Sequence, residues 1–320
     1  MENPNLGDEK LLLKVTEALE STVESNRAII LMARADEKHR RFKTVMIFLP
    51  IILMVCFYLY QTWKSNNVFS GEKYVALVEI NGEISSSLPA SSRNINASLN
   101  KAFKDEKSEG VFIRINSPGG SPAESALIHD EITSLRIRYP DKKVIVFGTE
   151  SMTSGAYWIA SASDEIHSLS MTMVGSIGVV LESFDLSEIA KQYNISKNIF
   201  TAGENKHRLD MFVAPGEDDV KKIDSMISKL HELFKSTVRT SRKNKINEKE
   251  NSDIFSGDFW LGIEAVNLGL IDSITTPNVL LNEKFGTVNL VDYTNHPNVF
   301  DKLNTQRVLS DLKSMSVQIK

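Results

Sequence analysis

An unbroken run of uncharged residues, Thr44–Trp63 (TVMIFLPIILMVCFYLYQTW), constrains this chain more than any other feature. About 20 residues at 1.5 Å rise each span roughly the 30 Å hydrocarbon layer of a bilayer, so the run reads as one transmembrane helix. Pro50 would kink it, which membrane helices tolerate better than soluble ones, and Tyr58, Tyr60 and Trp63 crowd one end as an interfacial aromatic belt. Cys56, the only cysteine, lies inside the run, so neither an intramolecular disulfide nor a cysteine-rich zinc site is available. Lys38, Arg40, Arg41 and Lys43 precede the run and only Lys64 closely follows it. The positive-inside rule then leaves the N-terminus in the cytoplasm and the bulk of the chain on the other side. A cleaved leader would begin nearer residue 1 and end at a small-residue site; with roughly 40 mostly polar residues before the run and QTWKSNN after it, an uncleaved anchor is expected.

The chain as a whole has the composition of a globular protein: 42% of its 320 residues are hydrophobic, and a net charge of −4 lacks the basic excess of a nucleic-acid binder. Residues 1–43 form a cytoplasmic segment in which Leu12, Val15, Leu19, Ile29 and Ile30 recur at helical spacing over 8–33, the pattern of an amphipathic helix or short coiled coil. Residues 64–73 are a polar linker. From there strand-like runs, Tyr74–Ile80, Val111–Ile115 and Val144–Phe147, alternate with amphipathic stretches over 94–104 and 122–138. That alternation predicts an α/β fold, a parallel sheet covered by helices. Further helices are expected over 154–163, 185–193 and 217–242, and short strands at Asn198–Thr201 and Val288–Val291. A helix ended by Gly269 should turn into another strand within Ala265–Asp272. The domain, 74–280, is followed by a C-terminal extension over 281–320.

Three stretches follow strands, where α/β sheets place their chemistry. In Arg114–Gly120, RINSPGG, a Ser-Pro-Gly-Gly turn exposes backbone N–H groups with no Cβ in the way, suited to gripping an oxyanion, although most Pro-Gly turns only reverse the chain. In Ser151–Ile166, SMTSGAYWIASASDEI, Ser154 precedes Gly155 at the start of a helix-like run, where a hydroxyl serves equally as nucleophile or N-cap. In Thr201–His207, TAGENKH, Lys206 follows a glycine turn. A lysine is a general base only when neutral, and moving its pKa from about 10.4 to near 7.5 requires roughly 4 kcal/mol of desolvation. Alone, that lysine reads as a solvated surface charge.

Together the strings INSPGG, TSGAYWIASA, VGSIGVVLES, TAGENK and EAVNLGLID resemble the signal peptide peptidase A family, membrane-anchored serine peptidases with a Ser/Lys dyad. The likeness covers about residues 70–280 and is strongest to short, single-domain members. It implies that Ser154 is the nucleophile, Lys206 the general base, Ser176 of VGSIGV the hydroxyl that orients the lysine, and the N–H groups of Gly120 and Gly155 the oxyanion hole. Lys206 follows Ser154 by 52 residues and Ser176 follows it by 22, separations that agree with short members. The resemblance further implies a crotonase- and Clp-protease-like spiral of ββα units, no cofactor and no metal. It implies hydrolysis of signal-peptide remnants or other membrane-associated or misfolded polypeptides, at the bacterial inner membrane with the catalytic domain periplasmic or extracellular. Short members form homo-oligomers in which the serine of one subunit meets the lysine of its neighbour. Thr153 and Val174 depart from the family's usual alanine and threonine, outside the inferred chemistry.

Three other readings compete. A Ser/His pair could use His207 or His129, but in a triad protease of similar fold the histidine would follow the serine by about 25 residues, where Val179 and Val180 stand. A crotonase-type acyl-CoA enzyme has similar glycine turns, yet the anchor faces the domain away from cytoplasmic CoA. A catalytically silent membrane scaffold would have no use for Ser154, Lys206 and Ser176 together.

Overall fold

Near-continuous apolar strands form where both faces of a sheet are covered. The computed structural model describes residues 21–24, 27, 46, 48–61, 73–246, 248 and 251–295. In it β1 (Tyr74–Asn81), β2 (Ser108–Ser117) and β3 (Lys143–Thr153) lie parallel, joined by helices α1 (Ser92–Lys104) and α2 (Pro122–Arg138). On one face Ala76, Val78, Val111 and Ile113 pack with Leu99 and Phe103 of α1 and Ile128 and Ile132 of α2. On the other, Leu77, Phe112 and Phe147 pack with Leu280, Leu281 and Phe285 of a later helix, Pro277–Phe285. Each such buried side chain stabilises the fold by roughly 1.5–3 kcal/mol.

β3 outlasts its neighbours, and that length positions the site. Ile145–Gly148 pair with β4 (Glu165–Ser168), whereas Ser151–Thr153 pair with β5 (Met173–Gly175). The fork sets the residue after β3, Ser154, beside the residue after β5, Ser176. Helix α3 (Gly155–Ala160) follows at once, then α4 (Ser187–Gln192) and α5 (Glu217–Ser241). β6 (Phe259–Leu261) pairs antiparallel with β5, α6 (Gly262–Ala265) follows it, and β7 (Ser273–Ile274) extends β4. The helix Pro277–Phe285 is α7, and β8 (Leu290–Asp292) closes the far edge on β1.

Two expectations are corrected. Asn198–Thr201 is not a strand: it has no pairing partner, and Phe200 is 94% exposed, so apolar composition alone did not suffice. The strand expected at Val288–Val291 forms as β8, Leu290–Asp292, paired with β1. Where a strand was expected straight after Gly269 (φ 75°), a turn intervenes and only Ser273–Ile274 pairs.

The chain divides into two units, Met1–Gly71 and Glu72–Lys320. In the first, residues 48–61 are helical with exposed side chains. Among the described residues no helix is long and apolar enough to cross a membrane. The ends of Thr44–Trp63, the basic cluster of residues 38–43, most of 8–33, and residues 64–72 and 296–320 lie outside the described residues.

Candidate active site

Ser154 sits at φ 52° and ψ −126°, between the last residue of β3 and the first of α3. A non-glycine residue held there costs about 1–3 kcal/mol and persists only where its surroundings over-determine it. Its N–H donates to the Gly175 carbonyl at 2.8 Å and its own carbonyl accepts from Trp158 N–H at 3.0 Å. The side chain makes no capping bond, so the N-cap reading does not account for this serine. Its hydroxyl has no hydrogen-bond partner among the described residues.

The RINSPGG turn is pressed against it. Ile84 bridges the turn, its N–H donating to Gly119 O and its carbonyl accepting from Ser121 N–H, both at 2.8 Å. A Cβ at Gly119 would fall 2.7 Å from Ser154 Cβ, and one at Gly155 would fall 2.3 Å from Ser125 Oγ and 3.5 Å from Gly120 N. The two glycine backbones therefore converge beside Ser154, and no side chain fits between them. Ser176, at φ 52°, is fixed by its N–H donating to Asp258 O at 2.7 Å.

Gly120, Ser154, Gly155 and Ser176 line one cavity of about 330 Å³, with Trp158, Val179, Val180 and Phe234 supplying an apolar wall. Four of the five expected site residues thus meet. Lys206 does not join them: it lies in an exposed turn, its N–H donating to Gly203 O at 3.2 Å, outside the cavity lining. Its ammonium has no ion-pair partner among the described residues, whereas nearby Lys197 pairs with Asp210 and Arg208 with Asp219.

Sequence reasoning missed the contribution of α5. Phe234 stacks on Trp158 with centroids 4.6 Å apart, and His231, one helical turn earlier, enters the same cavity. Nothing in the sequence links residue 231 to the 176–178 stretch it meets. His129 and His207, the partners a Ser/His pair would use, are outside the lining; His129 faces Asp130 at 3.0 Å. A separate Ser-His-Glu arrangement, His167 Nδ1 at 2.8 Å from Ser273 Oγ and Nε2 at 3.0 Å from Glu165, joins β7 to β4 and also lies outside this cavity. Burial pushes the His167 pKa down; burial opposes ionisation of Glu165 too, but Lys143 and Lys284 outweigh it and hold that carboxyl at about 2.

An α/β domain whose strained serine and paired glycines share a cavity has the build of a hydrolase, and the chain belongs to peptidase family S49, which it matches over residues 136–290. It is 30% identical over 210 residues to a chain of Synechocystis sp. named as a candidate protease, covering 65% of this chain and 72% of that one. To the "Probable protease SohB" of Haemophilus influenzae it is 29% identical over 211 residues, 66% of this chain and 57% of the relative. A Brucella abortus chain named Na(+)/H(+) antiporter NhaA is 39% identical over 188 residues, 59% of this chain but 25% of its own length. The chain thus spans a quarter of the Brucella relative and little more than half of the Haemophilus one.

Proposed function

We propose that the chain is a serine endopeptidase in which Ser154 attacks a peptide carbonyl, Gly120 and Gly155 N–H groups hold the oxyanion, and Lys206 of a neighbouring copy is the base, oriented by Ser176. The observation that carries this reading is Ser154: strained, its hydroxyl unengaged, opening into a cavity beside two glycine backbones. In the first step the Oγ–C bond forms as the neutral lysine amine takes the hydroxyl proton. The oxyanion then collapses, the C–N bond breaks and the lysine returns its proton to the leaving amine; water repeats the sequence to release the acyl group.

This reading takes the base from outside the cavity. Among the described residues the one titratable side chain in the lining is His231, whose Nε2 is committed to a backbone carbonyl 3.0 Å away. Lys206 lacks an acidic partner among the described residues, and the stretch leading to it leaves Phe184, Tyr193 and Phe200 largely exposed. An apolar surface of that kind supports docking of a second copy. A heterologous, ring-closing contact would carry the lysine of one chain to the serine of the next.

On the same reading the fold is a crotonase- and Clp-protease-like spiral of ββα units, and Thr44–Trp63 anchors the chain in the bacterial inner membrane with its N-terminus cytoplasmic and its catalytic unit periplasmic or extracellular. Substrates are signal-peptide remnants or other membrane-associated or misfolded polypeptides, for which the apolar wall of Trp158, Val179, Val180 and Phe234 is suited. Labelling with an acylating probe directed at lysine-dyad peptidases tests the assignment. The adduct is expected on Ser154; modification of another residue overturns it.

A further inference from the structure

His231 lines the cavity, yet the mechanism above gives it no part. We infer that His231 is a positioning residue: its Nε2–H holds the Ile177 carbonyl and so presents Gly178–Val180 as the edge on which a substrate backbone pairs. The inference rests on the Ser154 site proposed above.

The 3.0 Å contact between His231 Nε2 and Ile177 O has one possible polarity. A backbone carbonyl only accepts, so Nε2 must carry the hydrogen, in the neutral ring as in the charged one. A ring committed in this way cannot take the Ser154 proton at Nε2, and the Gln variant below separates positioning from base catalysis at Nδ1. Three bonds then fix the stretch after β5. Ser176 N–H donates to Asp258 O at 2.7 Å, Gly178 N–H donates to Ser176 O at 2.9 Å, and His231 takes the Ile177 carbonyl, whose side chain is fully buried.

Beyond these anchors the backbone is open. The N–H groups of Val179 and Val180 and the carbonyls of Gly178 and Val179 have no hydrogen-bond partner among the described residues, and this stretch lines the cavity that holds Ser154. One side of it is closed, because a Cβ at Gly178 would come within 2.9 Å of Gly257 Cα. An open, anchored edge beside a nucleophile is what an extended peptide needs to add a strand. His231 is itself held by its own helix: Phe234, on the same face one turn later, stacks on Trp158 of α3, the helix that begins right after Ser154. One turn of α5 therefore ties the serine's helix to the substrate's edge.

Turnover kinetics on the full chain test this, with an extended apolar peptide and a short activated ester that reaches only Ser154. His231→Phe keeps the ring's bulk but removes the donor, and should raise KM for the peptide about tenfold while leaving its kcat within about threefold and the ester unaffected. His231→Asn, whose amide stops short, should behave the same and replaces the Phe variant if that one fails to fold. His231→Gln places an amide N–H near the Nε2 position and should restore the peptide KM to within about threefold, with an unchanged pH profile. A rise in KM for ester and peptide alike, or no rescue by Gln, overturns the inference. So does a collapse of kcat in His231→Gln, which would make the ring the base. Ser154→Ala run alongside separates the two claims. If it is inactive while all three His231 variants match wild type, only the positioning role fails; if it retains turnover, the site reading fails and the inference with it.

Discussion

Replacing Gly120 by alanine separates the geometry of its turn from its chemistry. Gly120 holds φ 148°, and an added Cβ would lie 2.2 Å from Ile84 O and 2.8 Å from Ile84 N, well inside van der Waals contact. The strained backbone costs about 1–3 kcal/mol. Opening the Ile84 bridge forfeits two backbone hydrogen bonds of 2.8 Å, about 0.5–1.5 kcal/mol each. Together these come to about 2–6 kcal/mol against a usual domain stability of about 5–15 kcal/mol, so the variant should fold at low temperature with a depressed melting point. On the oxyanion role proposed for the Gly120 N–H, moving the turn should lower kcat by about 10²–10³. Gly82→Ala is the control: φ is 79° and nothing lies within 4 Å of the added Cβ, so only a strain of about 1–2 kcal/mol applies and activity should stay at wild-type level. The assay is hydrolysis of a fluorogenic apolar peptide at a temperature where melting curves show both variants folded. Folded Gly120→Ala within about threefold of wild-type kcat refutes the oxyanion role, as does an equal loss in Gly82→Ala.

Ser154→Gly should melt above Ser154→Ala, because glycine relieves φ 52°, while both lose peptide hydrolysis by several orders of magnitude; equal melting points would contradict the strain. Lys206→Arg should be as inactive as Lys206→Ala, since a guanidinium stays protonated near neutrality, and wild-type activity should rise into the alkaline range as the lysine deprotonates; a profile flat from about pH 6 to 10 argues against it. Burial alone would raise the Asp272 carboxyl, but buried Arg242, Lys245 and the Ile166 N–H outweigh it and hold it at about 2. With the folded pKa depressed, a stabilisation of roughly 2 kcal/mol is complete above pH ~4 and lost as pH falls through about 2, which acid unfolding monitored by circular dichroism would reveal. Asp272→Asn should flatten that dependence and, by stranding Arg242, cost about 3–5 kcal/mol.

Much of this architecture is legible in local pattern. The runs around Val75, Phe112 and Ile145 read as buried strands because both faces of each are covered, so no alternation dilutes the apolar signal. β4, β5 and β6 escape such a reading: they are three or four residues long, and only their pairing to the ends of β3 and to each other makes them strands. Asn198–Thr201 shows the reverse, β-type residues with no neighbour to pair with. Ser154, Gly155 and the Gly-Gly turn are recognisable because their backbone demands are local. His231 and Asp258 are not, since each acts through a contact to the 176–178 stretch that only the fold creates. Lys206 stands out only through the family resemblance, and in one chain it lies outside the cavity that holds Ser154.

That separation makes subunit mixing the most direct measurement of the account. Ser154→Ala and Lys206→Ala chains, each inactive, are combined before assembly and assayed for peptide hydrolysis, with differential tags to verify co-assembly. If the serine of one copy is served by the lysine of the next, roughly a quarter of the sites should regain activity, since at random one neighbour pair in four joins an intact serine to an intact lysine in the required order. Oligomers mixed only after assembly should stay inactive. Verified co-assembly with no return of activity would contradict the shared site.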